Sequence, residues 1–352
     1  MRRIWLAAGI VLLLVILAVL PVGCGRAENI QKTVMVMDTV ATLTASGERA
    51  DDAVWESIER LREIEAMASP KGEHSDLQKL AAAAGNGAWI PLHLEVFHML
   101  EVSQEYSRIS NGAWDVTAGP LVELWGIGTE QAKVPTAGEL AEAKAKVGWQ
   151  KLELDPETKS ARLCEAGMSL DLGGIAKGFA ADEVRKIYEK YGIKNGLINL
   201  GASSIYALGK NAKGEEWRLG IRHPRSGDTD ARLAVVAISD AALSTSGDYE
   251  RFFERDGVRY HHILDPRTGR PADNGAASDT IVVAGELPDA GMISDLLTTT
   301  VFVLGPEAGR AFLEQLPPEV RGMICDRELR LWTAHGCHEC LQQVHQDFAL
   351  VE

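Results

Sequence analysis

The chain has 352 residues, of which 46% are hydrophobic and 24% charged, and its formal net charge is -14. This composition excludes a disordered chain, and the acidic balance excludes nucleic acid as the main partner, because phosphate neutralisation needs clustered Lys and Arg. Its 5 cysteines are too few for a scaffold built on disulfides. The length predicts one large domain or two closely packed ones.

The first 24 residues have the layout of a secretion signal or a membrane anchor. Arg2 and Arg3 precede an uncharged run over residues 4–22, which is followed by Gly23 and Cys24. The run is also long enough for one membrane-spanning helix. The segment resembles a bacterial lipoprotein processing site, at which Cys24 would become a lipidated N-terminus, so a lipid anchor and an uncleaved helix both stay open. Either anchor places the body of the protein in the periplasm, on the extracytoplasmic face of the inner membrane.

Hydrophobic periodicity and caps predict the early elements. Alternating side chains over residues 35–44 indicate a strand, and helical spacing of apolar residues predicts helices over residues 51–68 and 94–109. A third helix is predicted over residues 137–147, because Thr136 and Glu139 form the pattern of a capping box.

The rest of the chain mixes strands with helices. A hairpin is predicted from residues 151–154 and 161–164, and helices are expected between Asp171 and Tyr191 and again after Asp289. Further strands are expected over residues 196–200, 217–221, 233–238, 259–263 and 325–332. Because helices and strands do not alternate strictly, the predicted class is an α+β domain and not a doubly wound parallel sheet.

Two glycine-containing segments have the composition of ligand-binding loops. Residues 111–117 read Asn-Gly-Ala-Trp-Asp-Val-Thr, and their small residues let the backbone approach a flat ligand. Residues 171–178 read Asp-Leu-Gly-Gly-Ile-Ala-Lys-Gly and open a predicted helix, whose first amides suit a phosphate together with Lys177. Taken alone, either segment is explained equally well as a surface loop or a helix-capping turn.

Two later segments carry residue types used in acid–base chemistry and metal binding. His261 and His262 lie in a predicted strand and point to opposite faces, so at most one of them faces a given pocket. A histidine with a pKa near 6.5 can act as a base at neutral pH, although a structural histidine is the commoner case. Asp295 and Thr299 share one face of a predicted helix, and their oxygen atoms suit magnesium better than zinc.

Taken in order, these segments resemble the ApbE family of FAD:protein FMN transferases. The resemblance runs over residues 37–305 and includes six segments in the family's order. They are Met37-Asp38-Thr39 and residues 112–121, 171–178, 243–249, 262–266 and 295–299. The resemblance implies one α+β domain, related to the T-fold, over residues 30–335 after the anchor of residues 1–24.

The resemblance also implies a role for each matching residue. FAD would be contacted by residues of four segments, namely Met37, Ala113, Trp114, Asp115, Asp171, Lys177 and, through its backbone, Leu264. Mg²⁺ would be held by the side chains of Asp295 and Thr299 and by main-chain oxygen at Gly174 and Thr298. We expect His262 to be the catalytic base, Lys177 to assist Mg²⁺ in stabilising the charge on the diphosphate, and His261 to be structural.

The reaction implied by the resemblance transfers FMN from FAD to a Thr or Ser hydroxyl of an acceptor protein and releases AMP. Family members modify subunits of membrane respiratory complexes, which fits an anchored enzyme. Two alternatives use the same residues: a magnesium-dependent FAD pyrophosphatase, in which water replaces the hydroxyl, and a flavin-binding lipoprotein without catalysis. The pairing of Asp295 with Thr299 disfavours simple storage, because holding a flavin needs no metal.

Residues 336–352 are predicted to be a C-terminal tail outside the matching segments. The tail contains Cys337-His338-Glu339-Cys340, which can form a redox dithiol, a disulfide or a metal clip. It lacks the His after the second Cys that c-type haem attachment requires, and zinc sites usually use two such cysteine pairs. The expectation is a structural or incidental tail.

Overall fold

The computed structural model describes residues 29–228 and 230–351. Helices and strands are mixed along the chain, so the predicted α+β class is confirmed. Within the described ranges, no helix combines the length and the hydropathy needed to cross a membrane. The anchor predicted over residues 1–24 lies outside the described residues.

The described helices include the five that the sequence predicts and three that it does not, over Asp76–Ala83, Gly119–Trp125 and Pro306–Leu313. They are α1 (Ala50–Ala68), α2 (Asp76–Ala83), α3 (Leu94–Ile109), α4 (Gly119–Trp125), α5 (Ala137–Ala145), α6 (Ala176–Lys190), α7 (Ala290–Leu304) and α8 (Pro306–Leu313). Short 3-10 helices cover Val116–Ala118, Trp149–Lys151 and Cys337–Cys340. The predicted capping box is confirmed, since Thr136 and Glu139 make both of its hydrogen bonds at the start of α5.

The described strands are short and numerous. They are β1 (Asn29–Val36), β2 (Thr39–Ser46), β3 (Ile90–Pro91), β4 (Leu152–Asp155), β5 (Ser160–Leu163), β6 (Asn195–Leu200), β7 (Ser204–Leu208), β8 (Trp217–Arg222), β9 (Arg232–Ile238), β10 (Ala241–Gly247), β11 (Phe252–Arg255), β12 (Val258–His261), β13 (Leu264–Asp265), β14 (Arg270–Pro271), β15 (Ala276–Ala284), β16 (Val320–Asp326), β17 (Arg330–Ala334), β18 (Leu341–Gln342) and β19 (Ala349–Val351).

One large sheet forms the centre of the molecule. Its nine strands have the order β1-β2-β6-β7-β10-β15-β16-β17-β19, and neighbours are antiparallel except β17 and β19. Helices α6 and α7 pack on one face, and the small sheet β18-β9-β8 packs on the other. In β15, Ile281 and Val283 face the helices, whereas Val282 faces the small sheet. The central strands of the sheet, such as β15, are therefore buried on both faces.

Two strands predicted as single elements are hairpins. Residues 35–44 turn at Met37 and Asp38, which have φ of 55° and 54°, as the turns that suit a two-residue hairpin require. Residues 325–332 likewise divide into β16 and β17, with Leu329 at φ 63° in the turn. Side-chain alternation continues on both sides of each turn, so alternation alone does not mark where the chain reverses.

The helix predicted to follow Asp171 begins later, at Ala176. The carboxylate of Asp171 accepts the amide of Gly173 at 2.7 Å, which folds the chain into a turn before the helix starts. The two glycines are therefore in a loop at the N-terminus of α6.

Asp279 is an acidic residue of β15, on the same face of the strand as Ile281 and Val283, which is the face toward α6 and α7. It is 1% exposed, and no charged side chain within residues 29–228 and 230–351 pairs with it. Burial holds the pKa of this carboxyl well above its ordinary value. The unfolded chain releases the proton at about pH 3.9 and the native protein only at higher pH, so native stability falls as the pH rises through this window.

Asp279→Asn is therefore expected to become more stable than the wild type as the pH rises. The difference in the free energy of unfolding grows by about 1.4 kcal/mol for each pH unit above about 4, until the folded pKa is reached, because Asn cannot ionise. Urea unfolding of both proteins over a pH series measures this difference. If the free energies of unfolding of the wild type and the variant differed by the same amount at every pH, the burial of an ionisable group at this position would be contradicted.

Candidate active site

The site is organised by the crossing of α6 and α7, whose first turns touch backbone to backbone. A Cβ atom built on Gly178 would lie 2.1 Å from the carbonyl oxygen of Gly291, so only glycine fits. Each helix also caps the other. Asp182 of α6 accepts the amides of Gly291 and Met292, and Asp295 of α7 accepts the amide of Gly178 at 3.0 Å. Both carboxylates lie at helix N-termini, where negative charge is favoured.

Gly178→Ala is expected to lower the free energy of unfolding by about 3 kcal/mol, because the added methyl overlaps the backbone of α7 and no rotamer change relieves the overlap. Gly138→Ala is the matched control. Gly138 lies in α5 with nothing within 4 Å of an added Cβ, so a gain of roughly 0.5–1 kcal/mol is expected there. Urea unfolding of the two variants measures the contrast, and equal effects would show that the helix crossing is loosely packed.

The Asp295 carboxylate is 4% exposed and is surrounded by donors. Oδ1 accepts a hydrogen bond from the hydroxyl of Ser204 at 2.8 Å, and Nζ of Lys177 lies 3.4 Å from both carboxylate oxygens. The same Nζ donates to the carbonyl of Gly173 at 3.0 Å. A cationic group is therefore already held here by carboxylate and carbonyl oxygen.

Gly174 lies beside the side chains of Thr299 and Trp114. A Cβ atom built on it would lie 2.8 Å from Oγ1 of Thr299 and 2.9 Å from the ring of Trp114. In a longer helix the amide of Gly178 would donate to the carbonyl of Gly174, but it donates to Asp295 instead. The Gly174 carbonyl is thus free of that partner, and the Gly174 backbone lies beside the Thr299 hydroxyl.

Thr298 is placed differently from Thr299. Its side chain is 2% exposed, and its hydroxyl donates to the carbonyl of Asp295 at 2.8 Å within α7. The predicted contact of Thr298 with a metal was through main-chain oxygen, and it stays a prediction.

These groups fit a magnesium ion. The donors are the Asp295 carboxylate, the Thr299 hydroxyl and the Gly174 carbonyl, all of them hard oxygen ligands of the kind that Mg²⁺ binds. The missing side chain at Gly174 is what lets its backbone come close to Thr299. The arrangement therefore brings together three of the four predicted metal ligands.

The carboxylate of Asp115 is hydrogen-bonded to neighbouring loops of the protein. Asp115 is 8% exposed, and its carboxylate accepts the amide and the hydroxyl of Thr117 at 2.8 and 2.7 Å and the amide of Trp149 at 2.9 Å. Burial raises the pKa of this carboxyl, and the hydrogen bonds oppose the rise. Asp115 thus braces the loop that carries Trp114, and its predicted contact with FAD stays a prediction.

Ala113 and Trp114 are both buried in the main hydrophobic core, and the ring of Trp114 lies beside Gly174. Nε1 of Trp114 is a buried donor with no hydrogen-bond partner in the described part of the chain. An unpaired buried donor costs about 1–3 kcal/mol, which a ligand that accepts its hydrogen would offset. The indole N–H thus lacks the hydrogen bond that a buried donor ordinarily has, and the predicted contact of Trp114 with FAD stays a prediction.

The sequence-distant loops meet around this site. The amide of Asp171 donates to the carbonyl of Val116 at 2.8 Å, which joins the two glycine-containing segments. A Cβ atom built on Gly112 would lie 3.9 Å from Cγ of Arg267, so the chain that directly follows residues 262–266 adjoins residues 111–117. The structure thus brings the four predicted segments together.

His262 is half-buried, directly after β12. Its Nδ1 lies 3.3 Å from the carbonyl of Arg251, and because a carbonyl only accepts, Nδ1 carries the proton and Nε2 has the lone pair. Burial, followed by the charge of Arg251, lowers the pKa of His262 to about 3. The charge of Lys177 acts in the same direction on the pKa of His262.

His261 and Leu264 are built into the core. His261 is 2% exposed, its Nε2 donates to the carbonyl of Ala272 at 3.0 Å, and its ring meets Phe302 edge-on at 5.3 Å. Leu264 packs in a separate cluster that includes Trp125. The predicted role of Leu264 concerned its backbone and stays a prediction.

Met37 occupies the turn between β1 and β2, where its amide donates to Oε1 of Glu65 at 2.8 Å. The amide of Gly201 donates to the carbonyl of Val40 at 3.0 Å, so this hairpin lies beside the turn that leads into Ser204. Met37 is thus at the Ser204 end of the sheet, and its predicted contact with FAD stays a prediction.

Sequence reasoning missed Ser204 and Asp182. Ser204 contacts Asp295 because β7 lies against α7, and Asp182 caps α7 because the two helices cross. Neither residue is marked by its type or by its spacing, since each contact is made by segments far apart in the chain.

The chain matches the model of the ApbE family over residues 37–324. The FAD:protein FMN transferase of Treponema pallidum is 35% identical over 312 residues, which cover 84% of each chain. That of Klebsiella pneumoniae is 33% identical over 290 residues, or 82% of this chain and 86% of the relative. Two solved structures, the ApbE protein from Thermotoga maritima and the flavin transferase ApbE from Vibrio cholerae, have TM-scores of 0.80 and 0.78, each with 26% identity and covering 90% of this chain and all of theirs. The resemblance found in the sequence is thereby confirmed, and the chain belongs to the ApbE family.

Proposed function

We propose that this protein is a flavin transferase that moves the FMN moiety of FAD onto a Thr or Ser hydroxyl of an acceptor protein, releases AMP and depends on Mg²⁺. The observation that carries the proposal is the meeting of Asp295, Thr299 and the Gly174 backbone at the N-terminus of α6. Oxygen ligands beside a helix N-terminus suit a metal-bound diphosphate, because the amides and the cation both offset phosphate charge.

Different residues bind the metal ion, the diphosphate and the flavin. Asp295, Thr299 and the Gly174 carbonyl hold Mg²⁺, with Thr298 as a further main-chain ligand. Bound there, the ion offsets the negative charge that develops on the diphosphate as AMP leaves. The first amides of α6 and the ammonium of Lys177 orient the diphosphate. Trp114 binds the flavin side of the substrate through its ring and its unpaired N–H.

His262 acts as the base. The acceptor hydroxyl oxygen attacks the phosphorus on the FMN side, its proton passes to Nε2 of His262, and the bond to the AMP phosphate breaks so that AMP leaves with the electron pair. The contact of Nδ1 with the Arg251 carbonyl holds the ring in the tautomer that this step needs. The negative charge of bound FAD raises the pKa of His262 above its ligand-free value and makes it a stronger base.

Intact-mass spectrometry of an acceptor protein tests the reaction. After incubation with FAD and Mg²⁺, the acceptor should gain one FMN phosphoester, and AMP should appear in equal amount. Replacing the modified Thr of the acceptor with Val should remove the adduct. Free FMN and AMP without an adduct would identify an FAD pyrophosphatase instead, and tight FAD binding without turnover would identify a storage protein.

We further propose that the protein works on the periplasmic side of the inner membrane, tethered through lipidated Cys24 or through an uncleaved helix over residues 4–22. Subunits of membrane respiratory complexes are the acceptors that such a tether would bring within reach. Metabolic labelling with a radioactive fatty acid separates the two anchors. A lipid anchor predicts label that Cys24→Ser removes, whereas a helix predicts no label and unchanged sedimentation with membranes.

A further inference from the structure

A second group of reactive side chains lies in the 3-10 helix Cys337–Cys340. This helix contacts β9, β16 and β17, and Cys337 packs with Val282 and Met323 in the core on the face of the main sheet away from α6 and α7. The cysteine pair is thus on the opposite face of the sheet from Asp295. Its chemistry is independent of the proposed flavin transfer.

One cysteine of the pair is buried and the other reaches a cavity. Cys337 is 1% exposed, whereas Cys340 lines a cavity of about 290 Å³. The side chains around that cavity are mostly polar, namely Glu216, Ala237, Arg321, Glu339, Cys340 and Gln342. An accessible thiol backed by a buried one is the arrangement of an attacking and a resolving cysteine.

The backbone allows the two sulfurs to bond. Residues three apart in a 3-10 helix lie on the same side of the helix, and their Cα atoms are about 6 Å apart along the axis. That separation is within the range that a disulfide spans. Both thiols are free in the structure. A Cys337–Cys340 disulfide can therefore form with little movement of the backbone.

The surroundings stabilise a thiolate on Cys340. Nη1 of Arg321 lies 3.3 Å from its sulfur. The neighbouring Cys337 thiol, together with Arg321, lowers the pKa of Cys340, and the neighbouring Cys340 sulfur and burial raise the pKa of Cys337. Burial of Cys340 opposes this effect, as does the carboxylate of Glu339, which is the weakest influence on the pKa of Cys340. The accessible cysteine is thus the better nucleophile of the two.

We propose that Cys340 and Cys337 form a thiol–disulfide exchange site whose oxidant is a small aliphatic disulfide. The Cys340 thiolate attacks one sulfur of that disulfide, its S–S bond breaks, and the other half leaves as a thiolate that takes up a proton. Cys337 loses its proton as it attacks Cys340, displaces the second half as a thiol and closes the Cys337–Cys340 disulfide. Two electrons pass from the protein to the substrate, which leaves as two thiols.

A metal clip is the rival use of two neighbouring thiols. Structural zinc sites need four protein ligands. Among the described residues, the one group of three or more such side chains with ligand atoms within 4.8 Å of one another is His223, His345 and Asp347, which includes neither cysteine. The geometry therefore favours exchange over metal binding.

Alkylation rates of the unmodified full chain give the first test. With limiting iodoacetamide near neutral pH, peptide mass spectrometry should show Cys340 reacting at least about tenfold faster than Cys164, because a thiolate is the reactive form. Cys164 is the internal control, since it is exposed and its pKa is raised by partial burial and by Glu153. Arg321→Gln should reduce the advantage of Cys340, because one of the two groups that stabilise its thiolate is lost.

Oxidised glutathione supplies the second test. The wild type should form the Cys337–Cys340 disulfide, Cys337→Ser should stop at a glutathione adduct on Cys340, and Cys340→Ser should form neither. Unchanged FAD turnover shows that each variant is folded. Equal alkylation of Cys340 and Cys164, or two thiols that stay free in oxidised glutathione, would overturn the proposal. So would protection of both cysteines by Zn²⁺ alone in the absence of any disulfide.

Discussion

Asp295→Ala is expected to lower Mg²⁺-dependent FMN transfer roughly a thousandfold. A metal ion at a transferring phosphoryl group is worth several kcal/mol, and each 1.36 kcal/mol changes a rate about tenfold. The variant also loses the acceptor of the Gly178 amide, so a cap of about 1 kcal/mol disappears with it. Initial rates of transfer across a series of Mg²⁺ concentrations measure the effect.

Asp182→Ala is the matched control for that experiment. Asp182 accepts the amides of Gly291 and Met292 as Asp295 accepts that of Gly178, so it loses an equivalent cap at the same helix crossing. It has no predicted contact with substrate or metal, and its rate per folded molecule should stay close to that of the wild type. If Asp295→Ala keeps its activity in metal-free buffer, the metal role of Asp295 is wrong.

His262→Ala is expected to lower the rate of transfer by about 10²–10⁴-fold while FAD binding stays nearly unchanged, because a positioned base contributes about that much. The base works as the neutral ring, so wild-type activity is lost as the pH falls through its pKa, which is about 3 without ligand. Single-turnover rates and FAD fluorescence titrations separate catalysis from binding.

His74→Ala provides the control for His262→Ala, because His74 is exposed and far from the predicted segments in sequence. Its rate should match that of the wild type. Transfer by His262→Ala at a near wild-type rate would show that another group accepts the proton. A parallel loss of FAD affinity would show that His262 binds the substrate instead.

Local signals predicted some elements to within a residue. The helix predicted over residues 94–109 is α3 with the same bounds, because its apolar spacing and its stop at Asn111-Gly112 are both contained in the segment. The start of α5 was equally predictable, since the capping box of Thr136 and Glu139 is a local interaction. Signals of this kind need no knowledge of the rest of the fold.

The elements that escaped prediction depend on partners elsewhere in the chain. β15 is nearly all buried, so it shows neither strand alternation nor helical spacing. The turn at Met37 has no Gly or Asn to mark it, and the tertiary structure holds its positive φ. In both cases the conformation is imposed by the sheet and not by the segment itself.

In the candidate site, too, features contained within one segment were predictable and contacts between distant segments were not. The family resemblance located Asp295, Thr299 and Gly174, and the structure brings them together. The engagement of Asp115 with Trp149 and the support of Asp295 by Ser204 were beyond sequence reasoning, because each depends on which segments become neighbours. Motifs located the chemistry, and the supporting hydrogen bonds became visible only in the fold.

The glycine contact between α6 and α7 also restricts how the protein can adapt to its ligands. Because the contact joins two backbones, the helices cannot slide past each other without breaking both reciprocal caps. We therefore expect induced fit to FAD or to an acceptor in the loops around residues 111–117, 171–175 and 262–269, and not in a sliding of α6 past α7. Hydrogen exchange should accordingly change on binding in those loops, while the first turns of both helices stay protected throughout.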